Sequence, residues 1–544
     1  MTMRSRTDVL LLAGFCAFLF FYGMGQFGLI GADEPRYAQV AREMLERHDF
    51  ITPVLNGRPW LEKPPLYYWQ AMLVYTALGV SDMSARIPSA IDATVLVIVV
   101  YLFFRRFRSG VEVDAALITA SCAGLIGYAR AASMDMALTT TFAVGLLAWW
   151  AWRESEKKIF LALFYALMAL GMLAKGPVAP FLAAVVIVLF AIVVREPKLI
   201  IKTLWLPGVI LFCAIALPWY TAVQIRNPQF FREFILEHNL ARFSSDLYHH
   251  REPFWYYVPV TALALLPWIV FVIATFSKSV RVWWAESRSA ERKTNHADPD
   301  YDIQLRIFAC CWLVVPVVFF SFSQSKLPGY ILPAIPAGAM LLADYLRQHL
   351  ESGESIPKSL AAVHALVAAG PIFPAILISY VVSQHRLPTG RPMLLALGIA
   401  FMLTVAIALT LISRAGLRMM RFVTLIAVVL TVAAVFKLGT TAIDQNLSAR
   451  PLAFELASVE TRRLPIAVCG TSRELEYGLT FYRNQIVARY ELGFIPPGEH
   501  FLVAPPAWKP DVAARTPGRR VLLLGHYAPQ DLDYYWVSAA GAKP

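Results

Sequence analysis

The chain has 544 residues, 58% hydrophobic and only 16% charged, with a formal net charge of +12. Soluble domains carry roughly a quarter charged residues, so an ordinary soluble protein is excluded. The apolar residues form continuous runs of about 20. They do not alternate at period two, which excludes an outer-membrane barrel and leaves an all-α polytopic membrane protein.

The first run spans about 9 to 30 and follows Arg4 and Arg6. It is long for a signal-peptide core, and Gly31-Ala32-Asp33 is a poor cleavage junction. It reads as an uncleaved signal anchor with its N-terminus inside. Further spans are expected near 84–104, 111–129, 136–152, 159–174, 178–194, 204–222, 254–276, 307–322, 330–346, 359–382, 393–412 and 422–441, about 13 transmembrane helices in all. Every second loop holds basic residues: Arg105/Arg106/Arg108, Arg153/Lys157/Lys158, Arg195/Lys198/Lys202, the 278–306 segment, Arg347/Lys358 and Arg414/Arg418/Arg421. The positive-inside rule puts those loops and the N-terminus in the cytoplasm.

The odd number of spans divides the chain into a membrane domain, 1–441, and an outer, periplasmic domain, 442–544. Strand-like runs at 465–469 and 520–524 between turn signals predict a small α/β fold for the outer domain. Its plainest role is packing or contact with an acceptor. The positive charge therefore reports topology, and there is no basic, aromatic-interleaved stripe for nucleic acid. Five of the six cysteines lie in spans and Cys469 stands alone outside, so no disulfide framework is expected. No nucleotide-binding glycine motif is present, and the cytoplasmic loops are short.

Chemistry gathers in the outer loops. Asp33-Glu34-Pro35-Arg36-Tyr37 follows the first span directly, and carboxylates there are costly to place without a role. Proline favours the first helical position, which makes Glu34 the cap, leaves Asp33 outside the helix, and marks Asp33 as functional. The 35–47 and 65–78 segments are expected as interfacial helices, with Tyr67, Tyr68, Trp69 and Tyr75 at headgroup level. Lys63, in Glu62-Lys63-Pro64-Pro65, is a compact charge on a stiff turn and suits a phosphate. Asp135 opens the fourth span behind Arg130, whose ordinary role is to pair with it. Lys175 interrupts an apolar stretch at the same level and must snorkel or meet an anion. Farther on, Arg251 precedes the aromatic run Phe254-Trp255-Tyr256-Tyr257, and Lys326 precedes Leu327-Pro328-Gly329-Tyr330. His249 and His250 could join Glu62 as ligands of a divalent metal. Asp33 and Asp135 among the cations Lys63, Lys175, Arg251 and Lys326 fit a reaction whose leaving group is a lipid phosphate.

Five motifs carry a resemblance: Asp-Glu-Pro-Arg-Tyr at 33–37, Glu-Lys-Pro at 62–64, Lys-Gly at 175–176, His-Arg-Glu-Pro-Phe-Trp-Tyr-Tyr at 250–257 and Lys-Leu-Pro-Gly-Tyr at 326–330. The chain resembles the bacterial lipid A 4-amino-4-deoxy-L-arabinose transferases, within the GT-C membrane glycosyltransferases that include protein O-mannosyltransferases. The resemblance covers roughly residues 5–350. It implies a GT-C fold, an undecaprenyl-phosphate sugar donor, a periplasmic site in the bacterial inner membrane, and inversion at the anomeric carbon. It also implies lipid A or another envelope molecule as acceptor. Asp33 is then the essential acid, and Lys63, Arg251 and Tyr330 surround the donor phosphate, with Glu34, Arg36 and Tyr37 behind them. No cofactor is required beyond the divalent metal that Glu62, His249 and His250 could hold. Transfer to a protein or another glycan is the alternative within this class. A lipid flippase or transporter is the runner-up of another class, although its charges would sit nearer mid-membrane.

Overall fold

The computed structural model describes residues 3–234, 252–288, 300–352, 356–413 and 416–540. Among these, nine helices are long and apolar enough to cross a membrane, from Asp82–Phe107 to Gly416–Leu447. Val178–Val193 is apolar but shorter. The first predicted run is helical only over Met3–Cys16 and the π turn Ala17–Phe21. After Phe21 the chain leaves the helix and approaches the site as irregular backbone.

Two expected rods are broken. Glu112–Ser121 and Ala123–Ala129 meet at 65°, and Phe254–Ala264 and Ile269–Ala285 meet at 116°. Pro267 removes a helical donor at the second break. Irregular backbone inside a membrane protein must find internal partners, and the two breaks supply them to each other. Ala123 N–H donates to Leu266 O at 2.9 Å. The Trp268 indole N–H donates to Ser121 Oγ at 2.9 Å.

The two segments expected to lie flat at the interface are instead packed inside protein. The Asp33–Glu46 helix buries Tyr37, Val40, Ala41 and Met44. It lies between the Leu66–Leu78 helix and the Arg473–Arg483 helix of the C-terminal part. Tyr67, Tyr68 and Tyr75 are buried, so these rings are core rather than headgroup anchors. Tyr37, Tyr67 and Tyr68 pack edge to face, with centroids 6.0–6.4 Å apart. The Tyr67 hydroxyl donates to Ala85 O at 2.8 Å.

Strands β1 (Val54–Leu55) and β2 (Arg58–Pro59) form a hairpin between those helices. Its turn is Asn56-Gly57, both at positive φ, the pairing that a tight two-residue turn needs. Glu43 of the preceding helix accepts from both turn N–H groups, at 2.9 and 3.0 Å. The hairpin thereby fixes the start of the loop that carries Glu62 and Lys63.

Beyond the Thr440–Leu447 helix lies the small α/β unit. Its strands are β3 (Ile466–Val468), β4 (Val487–Arg489), β5 (His500–Ala504), β6 (Val521–Tyr527) and β7 (Leu532–Val537). They lie in the order β4-β3-β5-β7-β6. β3 pairs in parallel with β4 and β5, while β7 is antiparallel to β5 and β6. Strand β3 is buried on both faces, and its apolar run Ile-Ala-Val suits a central parallel strand. The six cysteines, Cys469 included, are free thiols.

Candidate active site

The site begins where the first span unravels. The backbone of residues 24–30 cannot pair with itself, so side chains from elsewhere bind it. Arg86 lies near the start of a membrane helix and is 1% exposed. It donates through Nη1 to Met24 O at 2.7 Å and Phe27 O at 2.9 Å, and through Nη2 to Gly28 O at 2.8 Å. The same guanidinium grips Glu34, Nε to Oε1 at 3.0 Å and Nη2 to Oε2 at 2.7 Å. Glu34 also accepts from Ile30 N–H at 2.9 Å and Ala132 N–H at 2.7 Å. Glu34 is therefore a buried structural anchor, not a helix cap.

The C-terminal part clamps the same segment. Arg450 donates to Gly25 O at 3.1 Å, Gln26 O at 3.0 Å, Asp82 at 2.9 Å and Asp444 at 2.8 Å. Gly28 N–H donates to Asp444 at 2.7 Å, and Leu29 N–H to the Tyr482 hydroxyl at 2.6 Å. Position 28 must be glycine, since a Cβ there would collide with Ser448 and Tyr482.

This scaffold delivers Asp33 to a cavity of about 640 Å³. Asp33 is the first residue of its helix, with Ala32 before it. It does not lie outside the helix, because Pro35 is tolerated anywhere in a first turn whose N–H groups have no helical partner. The Asp33 carboxylate is half exposed and pairs with Arg36. Arg36 lies over the rings of Tyr37, Trp60 and Tyr477 at 5.1–5.6 Å. Burial disfavours the Arg36 charge, but Tyr37, Asp33 and Glu62 more than offset it and hold the guanidinium above its usual range. Burial, with Asp33 beside it, raises the Tyr37 phenol, which stays protonated.

Asp135 sits in the first turn of the Met134–Ser155 helix, where a carboxylate suits the helix dipole. Ser133 caps that helix, accepting from Asp135 N–H at 3.1 Å, and its hydroxyl donates to Asp135 Oδ2 at 2.6 Å. The partner of Asp135 is Lys175, in direct ion-pair contact. The expected partner, Arg130, turns away to Leu19 O and Tyr22 O and lies over Phe436. Lys175 ends its helix where Gly176 takes a positive φ of 90°, and its ammonium lies 4.7 Å from the Tyr330 ring centre.

Of the residues expected at the site, Asp33, Glu34, Arg36, Tyr37, Glu62, Lys63, Asp135, Lys175 and Tyr330 line this one cavity. Lys326 does not. Its ammonium donates to Ser323 O at 2.6 Å and Glu252 O at 3.0 Å. It closes the turn that presents Tyr330. Arg251, His249 and His250 lie outside the described residues. Among the described residues no three His, Cys, Asp or Glu side chains converge as metal ligands. Of the expected ligand set, Glu62 alone is placed, and it faces Arg36.

Sequence reasoning missed three contributors. Arg86 was legible as a charge inside an apolar run. Tyr128, beside the Arg130 loop, carried no signal of its own. The third is the C-terminal α/β unit, which supplies Ser472, Arg473, Glu474 and Tyr477 to the cavity wall.

Residues 7–232 match the family model for dolichyl-phosphate-mannose-protein mannosyltransferases. Over 405 residues the chain is 30% identical to the undecaprenyl phosphate-alpha-4-amino-4-deoxy-L-arabinose arabinosyl transferase of Pseudomonas savastanoi pv. phaseolicola, across 73% of this chain and 72% of that one. It is also 30% identical over 366 residues to the transferase of the same name from Pseudomonas aeruginosa, across 65% of this chain and 62% of that one. The fold matches the crystal structure of ArnT from Cupriavidus metallidurans bound to undecaprenyl phosphate with a TM-score of 0.76, at 22% identity, over 98% of this chain and 99% of that one. The apo form of that protein matches with a TM-score of 0.72. Shared sequence across most of a relative's length and a shared fold from end to end mean that the chain belongs to the undecaprenyl phosphate-alpha-4-amino-4-deoxy-L-arabinose arabinosyl transferase family of GT-C membrane glycosyltransferases.

Proposed function

We propose that the chain moves 4-amino-4-deoxy-L-arabinose from undecaprenyl phosphate to a phosphate of lipid A, on the periplasmic side of the inner membrane and with inversion. One observation carries this reading. Asp33, Lys63, Asp135, Lys175 and Tyr330 come from separate segments of the membrane domain and meet in one cavity.

In the reaction an acceptor phosphate oxygen attacks the anomeric carbon, the bond from that carbon to the donor phosphate breaks, and undecaprenyl phosphate leaves. Negative charge grows on the departing phosphate. Fixed cations in a partly dry site act most strongly where charge develops. Lys63 and Lys175 supply them, with Tyr330 as a hydroxyl donor. Asp135 orients Lys175, and Ser133 orients Asp135. A phosphate acceptor is already ionised near neutral pH, so no general base is needed. The half-exposed Asp33 carboxylate instead faces the positive charge that builds on the sugar ring.

The test is mass spectrometry of lipid A from cells with and without the gene. A mass gain equal to one aminoarabinose, dependent on the gene and abolished by Asp33→Asn, is expected. Unchanged lipid A with a sugar appearing on a protein or another glycan would replace this reading with the alternative acceptor.

A further inference from the structure

The cavity has two walls of different origin. The membrane domain supplies Asp33, Lys63, Asp135 and Lys175, and the outer domain supplies Ser472, Arg473, Glu474 and Tyr477. Most cations around it already have a counter-charge. Lys175 is paired with Asp135, and Arg36 with Asp33. In the outer domain Arg489 lies 3.3 Å from Glu476 and 3.8 Å from Glu491, and Arg483 is paired with Glu460. Arg473 differs. It is exposed into the cavity, and no hydrogen bond or ion pair among the described residues engages it. Its electrostatic neighbour Glu476 is the one that Arg489 holds. Ser472 is occupied as the helix cap, accepting from Leu475 N–H at 3.4 Å. Glu474 lines the same wall but carries the wrong sign for an anion.

Transfer between two phosphates brings two anions into one cavity, and like charges a few ångströms apart repel unless each has its own counter-charge. Lys63 and Lys175 answer the departing one. We infer that Arg473 is the specificity-determining residue of the acceptor subsite, binding the phosphomonoester of a phosphorylated lipid headgroup on the outer-domain wall. The guanidinium fork matches two phosphate oxygens at once, which an ammonium cannot do. This assignment rests on the transfer reaction proposed above. It also gives the outer domain a part in substrate choice.

The experiment is steady-state kinetics of the purified full chain in detergent. The undecaprenyl-phosphate aminoarabinose donor and bisphosphorylated lipid A are each varied in turn. Arg473→Gln is expected to raise KM for lipid A by roughly ten-fold or more, the size of one lost charge-assisted contact. KM for the donor should stay within about two-fold, and Arg473→Lys should recover part of the loss. Dephosphorylated lipid A should be a poor acceptor for wild type and Arg473→Gln alike. An unchanged thermal midpoint in Arg473→Gln shows that the effect is not misfolding. Normal lipid A KM in Arg473→Gln, or a rise confined to the donor, overturns the assignment while leaving the reaction standing. Absence of any transfer by the wild-type chain overturns the reaction itself.

Discussion

Replacing Glu34 by Ala strands a buried guanidinium. Arg86 is 1% exposed and Glu34 6%, so the charge that is left sits in a buried position. The substitution removes both contacts to Arg86 and orphans the N–H groups of Ile30 and Ala132. Breaking a buried pair from one side costs about 3–5 kcal/mol. Each orphaned backbone donor adds about 1–3 kcal/mol, but neighbouring losses are not additive. The expected loss is about 4 kcal/mol, or a fall of roughly 3–4 °C in the thermal midpoint of a chain this long. Large membrane proteins unfold irreversibly, so midpoints must be compared at one scan rate. A thiol-reactive dye following unfolding in detergent would measure them, because the six cysteines are free. The double variant Glu34→Leu/Arg86→Met removes both charges and should regain only the part of the loss due to the stranded charge, because the carbonyls of Met24, Phe27 and Gly28 lose their donor as well. A midpoint for Glu34→Ala within about 1 °C of wild type would refute the idea that this pair holds the entry to the site.

Three further outcomes follow from the same geometry. Asp135→Asn and Lys175→Met should each lower kcat by about 100-fold or more, and the double variant should be little worse than either single one, because they act as one pair. Additive losses measured in the transfer assay would separate their roles. Arg450→Ala loosens the backbone before Asp33 without touching the cavity; kcat should fall by about ten-fold with both KM values held within about two-fold, alongside a loss of about 2–3 kcal/mol in stability. Equal falls in binding and turnover would instead mark general disruption. His500 is fully buried, with its Nε2 2.5 Å from the Tyr490 hydroxyl and its Nδ1 2.8 Å from Gly498 O. Burial holds its pKa below the ordinary 6.5. The unfolded chain then takes up the proton first, so this contribution is intact above about pH 6.5 and drains away as pH falls below it. Between about pH 7.5 and pH 5, the thermal midpoint of wild type should drop further than that of His500→Gln. Equal drops would show that His500 is not held neutral.

The ionisable groups of the membrane domain were legible because an apolar background makes them conspicuous. Asp33, Lys63, Asp135 and Lys175 each interrupt or border a hydrophobic run, and all four reach the cavity. Lys326 looks the same in sequence, but its ammonium is held by two backbone carbonyls. Whether an ammonium meets substrate or backbone carbonyls depends on how Ser323 and Glu252 fold around it. Glu34 was hidden for the same reason, since its partner Arg86 lies 52 residues away. The wall from the C-terminal α/β unit was beyond reach, because Tyr482 meets Leu29 across 453 residues and no local pattern encodes such a pairing. The flat interfacial helices failed for a related cause. An amphipathic stripe shows that one face is buried, but not whether lipid or protein covers it.

The account stands on one cavity receiving the prenyl phosphate, and a structure of the full chain with undecaprenyl phosphate bound tests that most directly. It should show the phosphate against Lys63 and Tyr330, beside the Lys175–Asp135 pair. A phosphate seated elsewhere, with these side chains turned away from it, would contradict the account.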